Sequence, residues 1–472
     1  MAKQQTTSGW DIVLDLGNRS SGPLNQRVKR ALRTAIRSGR IPAGAALPPS
    51  RTLADDLGCS RWTVSEAYAQ LAAEGYVEGQ PGSATRVRWS ESELPTAETP
   101  RPKEPAENII DLAPGLPDLR HFPHAHWAEA LRRAITNMPT ADLVYPASGG
   151  HQQLRSVLGR YLERARGASL HGAMLQVTTG ATDGAARICT ALQTMGIHEI
   201  AVEDPGWSRL HAVVRATGMK VRPIHVDQDG LRIDALDSSP ARAVIVTPAH
   251  HFPYGVVLSP QRRTALLGWA NRSNGVILED DYDAEFRYDR APVSTIQGMD
   301  PSRVVLLGSL SKTLSPALRI GWMITSQRIS DAISECERTA SVPPTADQIA
   351  LADLIESGRY DRYLRAARRR YRARRDALVA SLTARLPQCQ LDGIAAGLHL
   401  ILRLPPNTTA AAVVEVGRAK KLKLTPLSAY CEAANPLADS ALVLGYGNLA
   451  DGEVATATSR LRSAVRAAAG AA

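Results

Sequence analysis

The segment GSLSKTLSPALRIG (Gly308–Gly321) carries the pattern that decides the fold of most of this chain. It follows the apolar run 304–307, which is typical of a buried strand. Lys312 stands between Ser311 and Thr313, and its amine is able to form a Schiff base with an aldehyde. Hydroxyl and guanidinium groups close to it in sequence could bind a phosphate dianion through charge-assisted hydrogen bonds. These phosphate-binding candidates are Ser309, Ser311 and Arg319. The segment therefore predicts a site for pyridoxal 5′-phosphate.

The segment VILEDDYDAEF (Val276–Phe286) supplies the acid that such a cofactor needs. A carboxylate at the end of a buried strand can pair with the protonated pyridine nitrogen. Asp280 fits this role, and Asp281 is the competitor for it. Tyr282 stands two residues after Asp280, where its hydroxyl could bond to the phenolic oxygen of the ring.

Two shorter motifs complete the predicted cofactor site. The segment TTGATDGA (Thr178–Ala185) predicts a glycine-containing turn at which a helix begins. The backbone amides of Ala181 and Thr182 would hold phosphate at that helix N-terminus. In EDPGW (203–207), Trp207 could stack on the pyridine ring.

Helical stretches alternate with short apolar strands in this part of the chain, which predicts an α/β body with a largely parallel sheet. A long basic helix after about residue 359 and two further strands predict a smaller C-terminal lobe over 359–472. The strand predictions are Glu199–Glu203, Ala243–Thr247, Val276–Glu279, Val304–Leu307, Ile320–Thr325, Leu398–Leu404 and Ala441–Leu444.

The first 89 residues have a different pattern, which predicts a winged helix-turn-helix. Helical spacing over 24–38 is followed by two short helices around Gly58 and by an alternating run around a Pro-Gly-Ser turn. Ser50 and Ser60 are predicted to cap the two short helices. Residues 90–108 are rich in Pro, Glu and Thr, which indicates an exposed linker before a body over 109–472.

A winged helix-turn-helix predicts double-stranded operator DNA as the partner. The first turn of the second short helix would enter the major groove, where an arginine can pair with a guanine edge. Hydroxyl groups and a second arginine would bind phosphate, and a wing glycine would allow close approach of the backbone. The predicted DNA-binding residues are Arg51, Ser60, Arg61, Thr63 and Gly82.

The run LPPSRTLADDLGCSRWTVSEAYAQLAAEGYV (Leu47–Val77) resembles the GntR family of regulators. With EDPGW, TPAHHFPYG, LEDDYDAEFRY and GSLSKTLSPALRIG, the chain resembles the MocR subfamily, in which a fold type I aminotransferase-like domain follows the DNA-binding domain. By that resemblance Lys312 is the internal aldimine lysine, and Asp280 and Tyr282 bind the ring. Tyr145 resembles the tyrosine that reaches the cofactor phosphate of a neighbouring subunit, which implies a homodimer.

Two departures from the catalytic pattern bear on function. Phe252 falls where catalytic aminotransferases often have an asparagine, and Val443 falls where many have an arginine for a substrate carboxylate. Arg209 could bind an effector instead, or be a surface arginine. These features favour a regulator that senses pyridoxal phosphate, in control of vitamin B6 synthesis, or an amino compound. A working aminotransferase with an appended DNA-binding domain is the alternative.

Composition sets broad limits on the class of protein. The formal net charge is +10, which mildly favours a polyanionic partner. Nine arginines in the run 358–378 are compatible with a second DNA-contacting patch or with a solvated helix. No apolar run is long enough for a membrane span. The five cysteines have no metal-ligand or disulfide spacing, so we expect no metal site and a cytoplasmic location.

Overall fold

The chain is represented by a computed structural model, which describes residues 14–16, 22–79, 84–89, 109–289, 293–336 and 341–470. They divide into two compact units, 1–104 and 105–472. We call the first unit the head and the second the body. The predicted linker 90–108 lies outside the described residues.

The head is a small helical domain with a two-stranded antiparallel wing. Its core contains Val28, Leu32, Val64 and Leu71, all fully buried between α1 and α3. The elements are α1 (Leu24–Arg37), α2 (Ser50–Asp56), α3 (Arg61–Ala73), β1 (Val77–Glu78) and β2 (Arg86–Val87). This arrangement confirms the predicted winged helix-turn-helix.

The two predicted helix caps have different outcomes. The Ser60 hydroxyl accepts a hydrogen bond from the Thr63 backbone N–H at 3.2 Å, so it caps α3 as expected. Ser50 does not cap α2; it is the first helical residue, preceded by Pro49. A proline with extended ψ leads into the helix without a side-chain cap, and the Ser50 hydroxyl accepts instead from Arg61.

The body is an α/β domain, as predicted. Its helices are α4 (His124–Asn137), α5 (Gln152–Arg166), α6 (Ala181–Thr194), α7 (Ser208–Ala216), α8 (Ile233–Asp237), α9 (Pro260–Ser273), α10 (Gln327–Cys336), α11 (Thr345–Glu356), α12 (Arg359–Arg385), α13 (Ala410–Ala419) and α14 (Val454–Ala469). Its strands are β3 (Ile110–Asp111), β4 (Ala173–Thr178), β5 (Glu199–Asp204), β6 (Lys220–Asp227), β7 (Gly230–Leu231), β8 (Ala243–Val246), β9 (Val276–Asp280), β10 (Val304–Ser309), β11 (Gly321–Ser326), β12 (Gln390–Asp392), β13 (His399–Arg403), β14 (Leu422–Lys423), β15 (Thr425–Pro426) and β16 (Ala441–Gly445).

The main sheet has the strand order β4-β11-β10-β9-β8-β5-β6-β7 in the described residues. Its centre, from β10 to β6, is parallel. The strands β10, β9, β8 and β5 are almost fully buried, as expected for parallel strands with helices on both faces, whereas β6 is partly exposed. β11 runs antiparallel to β10, a departure from an all-parallel sheet. The connection between them is too short for a crossover helix, so the chain must return in the opposite direction.

A second sheet, of order β12-β13-β16-β15, forms the small lobe together with α12, α13 and α14. β3, near the start of the body, pairs in parallel with β14 of this lobe. The small lobe therefore includes chain from both ends of the body. No sequence pattern indicated this pairing, because a two-residue strand has no measurable periodicity.

Candidate cofactor site

A cavity opens where the parallel strands of the main sheet end. Glu203 is the penultimate residue of β5, Asp280 ends β9 and Thr247 follows β8, so carboxyl ends of neighbouring strands supply one wall. Ligands of open α/β sheets bind at this edge. The cavity has about 820 Å³ of empty space, including its opening to solvent.

Lys312 reaches into this cavity from the loop after β10. Its Nζ donates a hydrogen bond to the Gly115 carbonyl and lies 6.0 Å from the centre of the Trp207 ring. Burial lowers the pKa of the Lys312 amine, and the carboxylates of Asp283 and Asp280 partly oppose this shift. A lowered pKa increases the neutral fraction of the amine, which is the nucleophilic form.

The two neighbouring aspartates at the end of β9 have separate environments. Asp281 accepts two hydrogen bonds from the buried Arg166, at 2.7 and 2.8 Å, and is therefore already paired. Asp280 faces the cavity, is 5% exposed, and its Oδ1 has no hydrogen-bond partner. Burial and the nearby Asp281 raise the pKa of Asp280 to about 7, although Lys312 acts in the opposite direction. Asp280 is thus the carboxyl group that still needs a cationic partner.

Tyr282 belongs to a buried polar network on the same side of the cavity. Its hydroxyl lies 3.1 Å from His250 Nδ1, which lies 2.9 Å from Asp283 Oδ2. His399 packs against His250 and donates from Nε2 to the Pro253 carbonyl at 3.0 Å. His250, Asp283 and His399 each offer one atom that could ligate a metal ion, and these atoms lie within 4.8 Å of one another. The sequence pattern did not predict this grouping.

The predicted phosphate-binding groups meet at the N-terminus of α6. Ala181 and Thr182 form its first turn, after Gly180 with a positive φ of 136°. A Cβ on Gly180 would stand 3.9 Å from the Arg319 guanidinium, so this arginine lies beside the helix end. Ser309 ends β10 next to the same edge, and its Oγ accepts from the Ser311 backbone N–H. Amides at a helix N-terminus and guanidinium groups are both groups that bind anions.

Glu203 is a buried acid at the cavity wall whose side chain was not predicted as a site residue. Its Oε2 accepts hydrogen bonds from the Thr247 N–H at 2.9 Å and from the Thr247 hydroxyl at 2.5 Å. Burial nevertheless raises the pKa of Glu203 to about 8. The raised pKa increases the protonated fraction of this carboxyl at neutral pH.

A segment of the small lobe covers one side of the cavity. Tyr430 lines the cavity, and its ring packs edge-to-face on Phe252 at 4.8 Å. Asp204 accepts hydrogen bonds from the backbone N–H groups of residues 432 and 433, and Glu432 binds His211 at 3.1 Å. These contacts hold the segment against the end of β5.

The predicted phosphate-binding residues at the α6 N-terminus and after β10 are not in the wall of this cavity, and three further residues from the sequence analysis also lie outside it. Arg209 is exposed on the first turn of α7 and is not part of the cavity wall, so its effector role stays a prediction. Val443 is fully buried in the small-lobe sheet. Tyr145 is 98% exposed and lies in an exposed apolar run with Leu143 and Val144.

Several cavity residues were missed by the sequence analysis. They are Gly115, Glu203, His211, Thr247, Asp283, Leu398, His399 and Tyr430. Asp283 and Glu203 stood inside quoted motifs, so position within the motif was an available signal. His399 and Tyr430 come from the small lobe, and no local pattern links them to Lys312.

The predicted DNA-binding residues of the head lie close together around α2 and α3. Arg51 and Arg61 are exposed, and Arg61 Nε donates to the Ser50 hydroxyl at 3.4 Å. Thr63 is buried against the Ser60 cap, with the two hydroxyl oxygens 2.8 Å apart. Gly82 lies outside the described residues.

The cavity and the neighbouring N-terminus of α6 fit pyridoxal phosphate on three independent grounds. Lys312 offers an amine, Asp280 offers a buried oxygen without a partner, and the N-terminus of α6 with Arg319 offers an anion site. A protonated pyridine nitrogen would give the Asp280 oxygen a partner, and its positive charge would lower the pKa of that carboxyl.

Comparisons with known proteins agree with this architecture. Residues 24–87 match the family model of bacterial regulatory proteins of the gntR family, and residues 107–428 match that of class I and II aminotransferases. The latter family implies dependence on pyridoxal phosphate. None of the helices in the described ranges is long and apolar enough to cross a membrane.

Relatives match the chain over nearly its whole length. The HTH-type pyridoxine biosynthesis transcriptional regulator PdxR of Corynebacterium glutamicum is 31% identical over 93% of this chain and 95% of its own. The probable rhizopine catabolism regulatory protein MocR of Rhizobium meliloti is 29% identical over 96% of both chains.

Solved structures show the fold of the body. A multiple substrate aminotransferase from Thermococcus profundus has a TM-score of 0.70 at 22% identity, over 78% of this chain and 93% of its own. The kynurenine aminotransferase of Pyrococcus horikoshii gives 0.69 at 22% identity, over 77% and 92%. The chain therefore belongs to the MocR subfamily of GntR transcription regulators, in which a helix-turn-helix domain precedes a class I and II aminotransferase domain.

Proposed function

We propose that this regulator binds operator DNA through its head, holds pyridoxal 5′-phosphate on Lys312, and reads that cofactor as its signal. The observation that carries the proposal is the composition of the cavity wall. It combines the Lys312 amine with the unpartnered Asp280 carboxyl, and no arginine is among the described residues that line it.

The residues around the cavity have separate roles in this proposal. When bound, the cofactor supplies an aldehyde for covalent attachment and an electron-withdrawing ring. Asp280 would hold the proton on the ring nitrogen, Tyr282 would bond to the phenolic oxygen, and Trp207 would pack on the ring face. The phosphate would be held by the α6 N-terminus at Ala181 and Thr182, with Ser309, Ser311 and Arg319.

The cavity wall favours pyridoxal phosphate over an amino acid as effector. A carboxylate ligand needs a cation to replace its hydration, and Lys312 is already committed to the cofactor. Arg209 is not in the cavity wall, and Val443 is apolar and buried. A relative named for pyridoxine biosynthesis is similar over nearly the whole chain, which supports a role in vitamin B6 synthesis.

For operator recognition, we propose that Arg61 reads a base edge while Arg51 and Ser60 contact phosphate. The exposed position of both arginines supports these roles. Thr63 then acts mainly by fixing the Ser60 cap, since its side chain is buried. Gly82 would allow the wing backbone to approach DNA.

We also propose a homodimer in which Tyr145 reaches the cofactor phosphate of the partner subunit. A tyrosine that is 98% exposed beside exposed Leu143 and Val144 supports an interface at this segment. Sedimentation velocity of the parent and of Tyr145→Asp tests it, and the expected result is a dimer that the substitution weakens. If the parent protein sediments as a monomer, the proposal is wrong.

The decisive experiment for the signal is a titration of operator DNA at fixed salt. Cofactor-free protein, cofactor-loaded protein and Lys312→Ala are compared. Couplings between two sites are typically about 5- to 150-fold in affinity. We expect loading to change operator affinity at least several-fold and Lys312→Ala to lose this response while it keeps basal binding.

Other outcomes would select the competing functions. Identical curves for cofactor-free and loaded protein would show that the cofactor is not the signal. An amino compound such as γ-aminobutyrate or taurine that shifts the curve of loaded protein would then be the effector. Stoichiometric production of a new keto acid and amino acid would identify an aminotransferase with an appended DNA-binding domain.

A further inference from the structure

The helix α12 carries far more positive charge than its own carboxylates can balance. Residues 359–375 include nine arginines, and the whole helix contains only Asp361 and Asp376 as acids. A solvated helix that is stabilised by ion pairs places opposite charges three or four residues apart. Here arginines mostly stand three or four residues from other arginines, so neighbouring side chains along the helix carry like charges.

The arginines that point inward have clear structural roles. Arg374 is buried and donates to Asp118 at 2.6 Å and to Asp451 at 2.7 Å. Arg368 donates from Nε to the Glu285 carbonyl at 2.8 Å. Packing of the body therefore accounts for these two residues.

The arginines that point outward have no such role. Four of them form a single row on the helix, at spacings of three, four and three residues, and all are exposed. Only the last has a carboxylate within 4.0 Å in the described part of the chain, at 3.9 Å from Asp376. We call this row the arginine stripe: Arg362, Arg365, Arg369 and Arg372.

We propose that the arginine stripe binds the phosphate backbone of double-stranded DNA, as a contact of the body in addition to those of the head. The inference rests on the proposed function, because it presupposes that the chain acts on duplex DNA. The stripe spans ten residues, or about 15 Å at the rise of an α-helix. One strand of B-DNA carries about four phosphates over that axial length.

The chemistry of the stripe favours phosphate over other anionic partners. A guanidinium can hold phosphate oxygens through two parallel hydrogen bonds, and the stripe offers four of them in a straight line. The stripe has no exposed aromatic side chain between its arginines on which a single-stranded base could stack. A contact of this kind would add affinity and position the protein without reading sequence.

The test measures how binding of the full chain to a random-sequence duplex of about 60 base pairs depends on salt. The variant replaces all four stripe arginines by glutamine. Each phosphate contact contributes about 0.9 to the slope of log affinity against log salt, so the slope should fall by about 3 to 4 for each copy in contact. At low salt we expect an affinity loss of at least about tenfold.

Two further variants distinguish a local contact between the stripe and DNA from a general effect of the positive charge of the protein. The first replaces the stripe by lysines, which keep the charge and should retain most of the slope. The second removes the same charge from exposed arginines on four other helices of the body and should leave the slope close to that of the parent. This control consists of Arg132→Gln, Arg328→Gln, Arg418→Gln and Arg466→Gln.

The outcomes distinguish the stripe from the proposed function. If the parent binds duplex DNA and the stripe variant binds it with the same slope, the inference is wrong and the operator-binding function stands. If the control variant loses as much slope as the stripe variant, general charge is responsible and the inference is also wrong. If the parent does not bind duplex DNA at all, both the function and the inference fail. If the stripe variant loses binding to anionic vesicles but not to duplex DNA, the stripe belongs to a membrane-binding surface and the inference is wrong.

Discussion

The head and the body assemble their candidate sites in different ways. In the head, Arg51, Ser60, Arg61 and Thr63 come from one continuous helix-turn-helix, and a cap between neighbours orders them. In the body, the cavity gathers residues from Pro114 to Tyr430, which come from both lobes and include the carboxyl ends of β5, β8 and β9 and the loop after β10. The site in the head is therefore locally encoded and tolerates change elsewhere in the chain. The site in the body, which we call the gathered site, depends on the whole domain.

The sharpest test of the gathered site is loss of its covalent anchor. Lys312→Ala should abolish the cofactor adduct that borohydride reduction traps, because the half-buried Lys312 is the only lysine in the described cavity wall. Mass spectrometry of reduced protein and of peptide digests measures the adduct. Lys220→Ala, at an exposed lysine on β6, is the matched control. An adduct that persists in Lys312→Ala would disprove the anchor.

The adjacent carboxyls Asp280 and Asp281 should behave in opposite ways. Asp281→Asn leaves the buried Arg166 without its ion pair and should cost about 3–5 kcal/mol of stability. Asp280→Asn should leave the stability of cofactor-free protein unchanged or higher, because it removes a buried acid without a partner, but it should weaken cofactor retention. Thermal unfolding and cofactor release by dialysis measure the two effects. If Asp280→Asn and Asp281→Asn change stability equally and cofactor retention equally, the assignment of Asp280 to the ring nitrogen is wrong.

Glu203 predicts a pH dependence of stability in the cofactor-free body. Its pKa rises from an ordinary 4.5 to about 8 on folding, so between these values the folded protein binds more protons than the unfolded chain. Stability from this group is therefore present below pH 4.5 and is lost as the pH rises to about 8. Each pKa unit is worth about 1.4 kcal/mol, so the loss is a few kcal/mol.

Glu203→Gln keeps an oxygen for Thr247 and removes the titration. Its unfolding temperature should fall less than that of the parent between pH 5 and pH 8. Thermal scans across about this range in one ionic strength are sufficient. The explanation fails if the two proteins have parallel profiles.

The smallest expected effect is in the locally encoded site. Arg61→Ala should cost about 1–3 kcal/mol in operator affinity and relax base preference, while Arg51→Ala should weaken all sequences about equally. Both side chains are exposed, so the stability of the head should stay unchanged. Competition binding with operator and shuffled duplexes measures the difference. Parent-like operator binding by Arg61→Ala would show that a different residue reads the bases.

Much of the fold was predictable because its signals are local. The strand predictions around Lys312 and Asp280 agree with β9 and β10 to within two residues, since apolar runs between helices mark buried parallel strands. The Ser60 cap followed from a serine placed directly before a helix. Ser50 was predicted wrongly because Pro49 takes the cap position, a distinction that depends on where the helix begins rather than on composition.

The sequence by itself determined the class of each domain and the order of motifs, because those depend on residues near one another in the chain. It also predicted Lys312 as the cofactor lysine. Only the tertiary structure showed that Asp280 and Asp281 have different environments, because Arg166 pairs with Asp281 from a helix that is distant in the sequence. It likewise brought His399 and Tyr430 to the cavity and left Arg209 outside it. Pairing and burial depend on three-dimensional packing, and contacts across more than a hundred residues leave no periodic signal in the sequence.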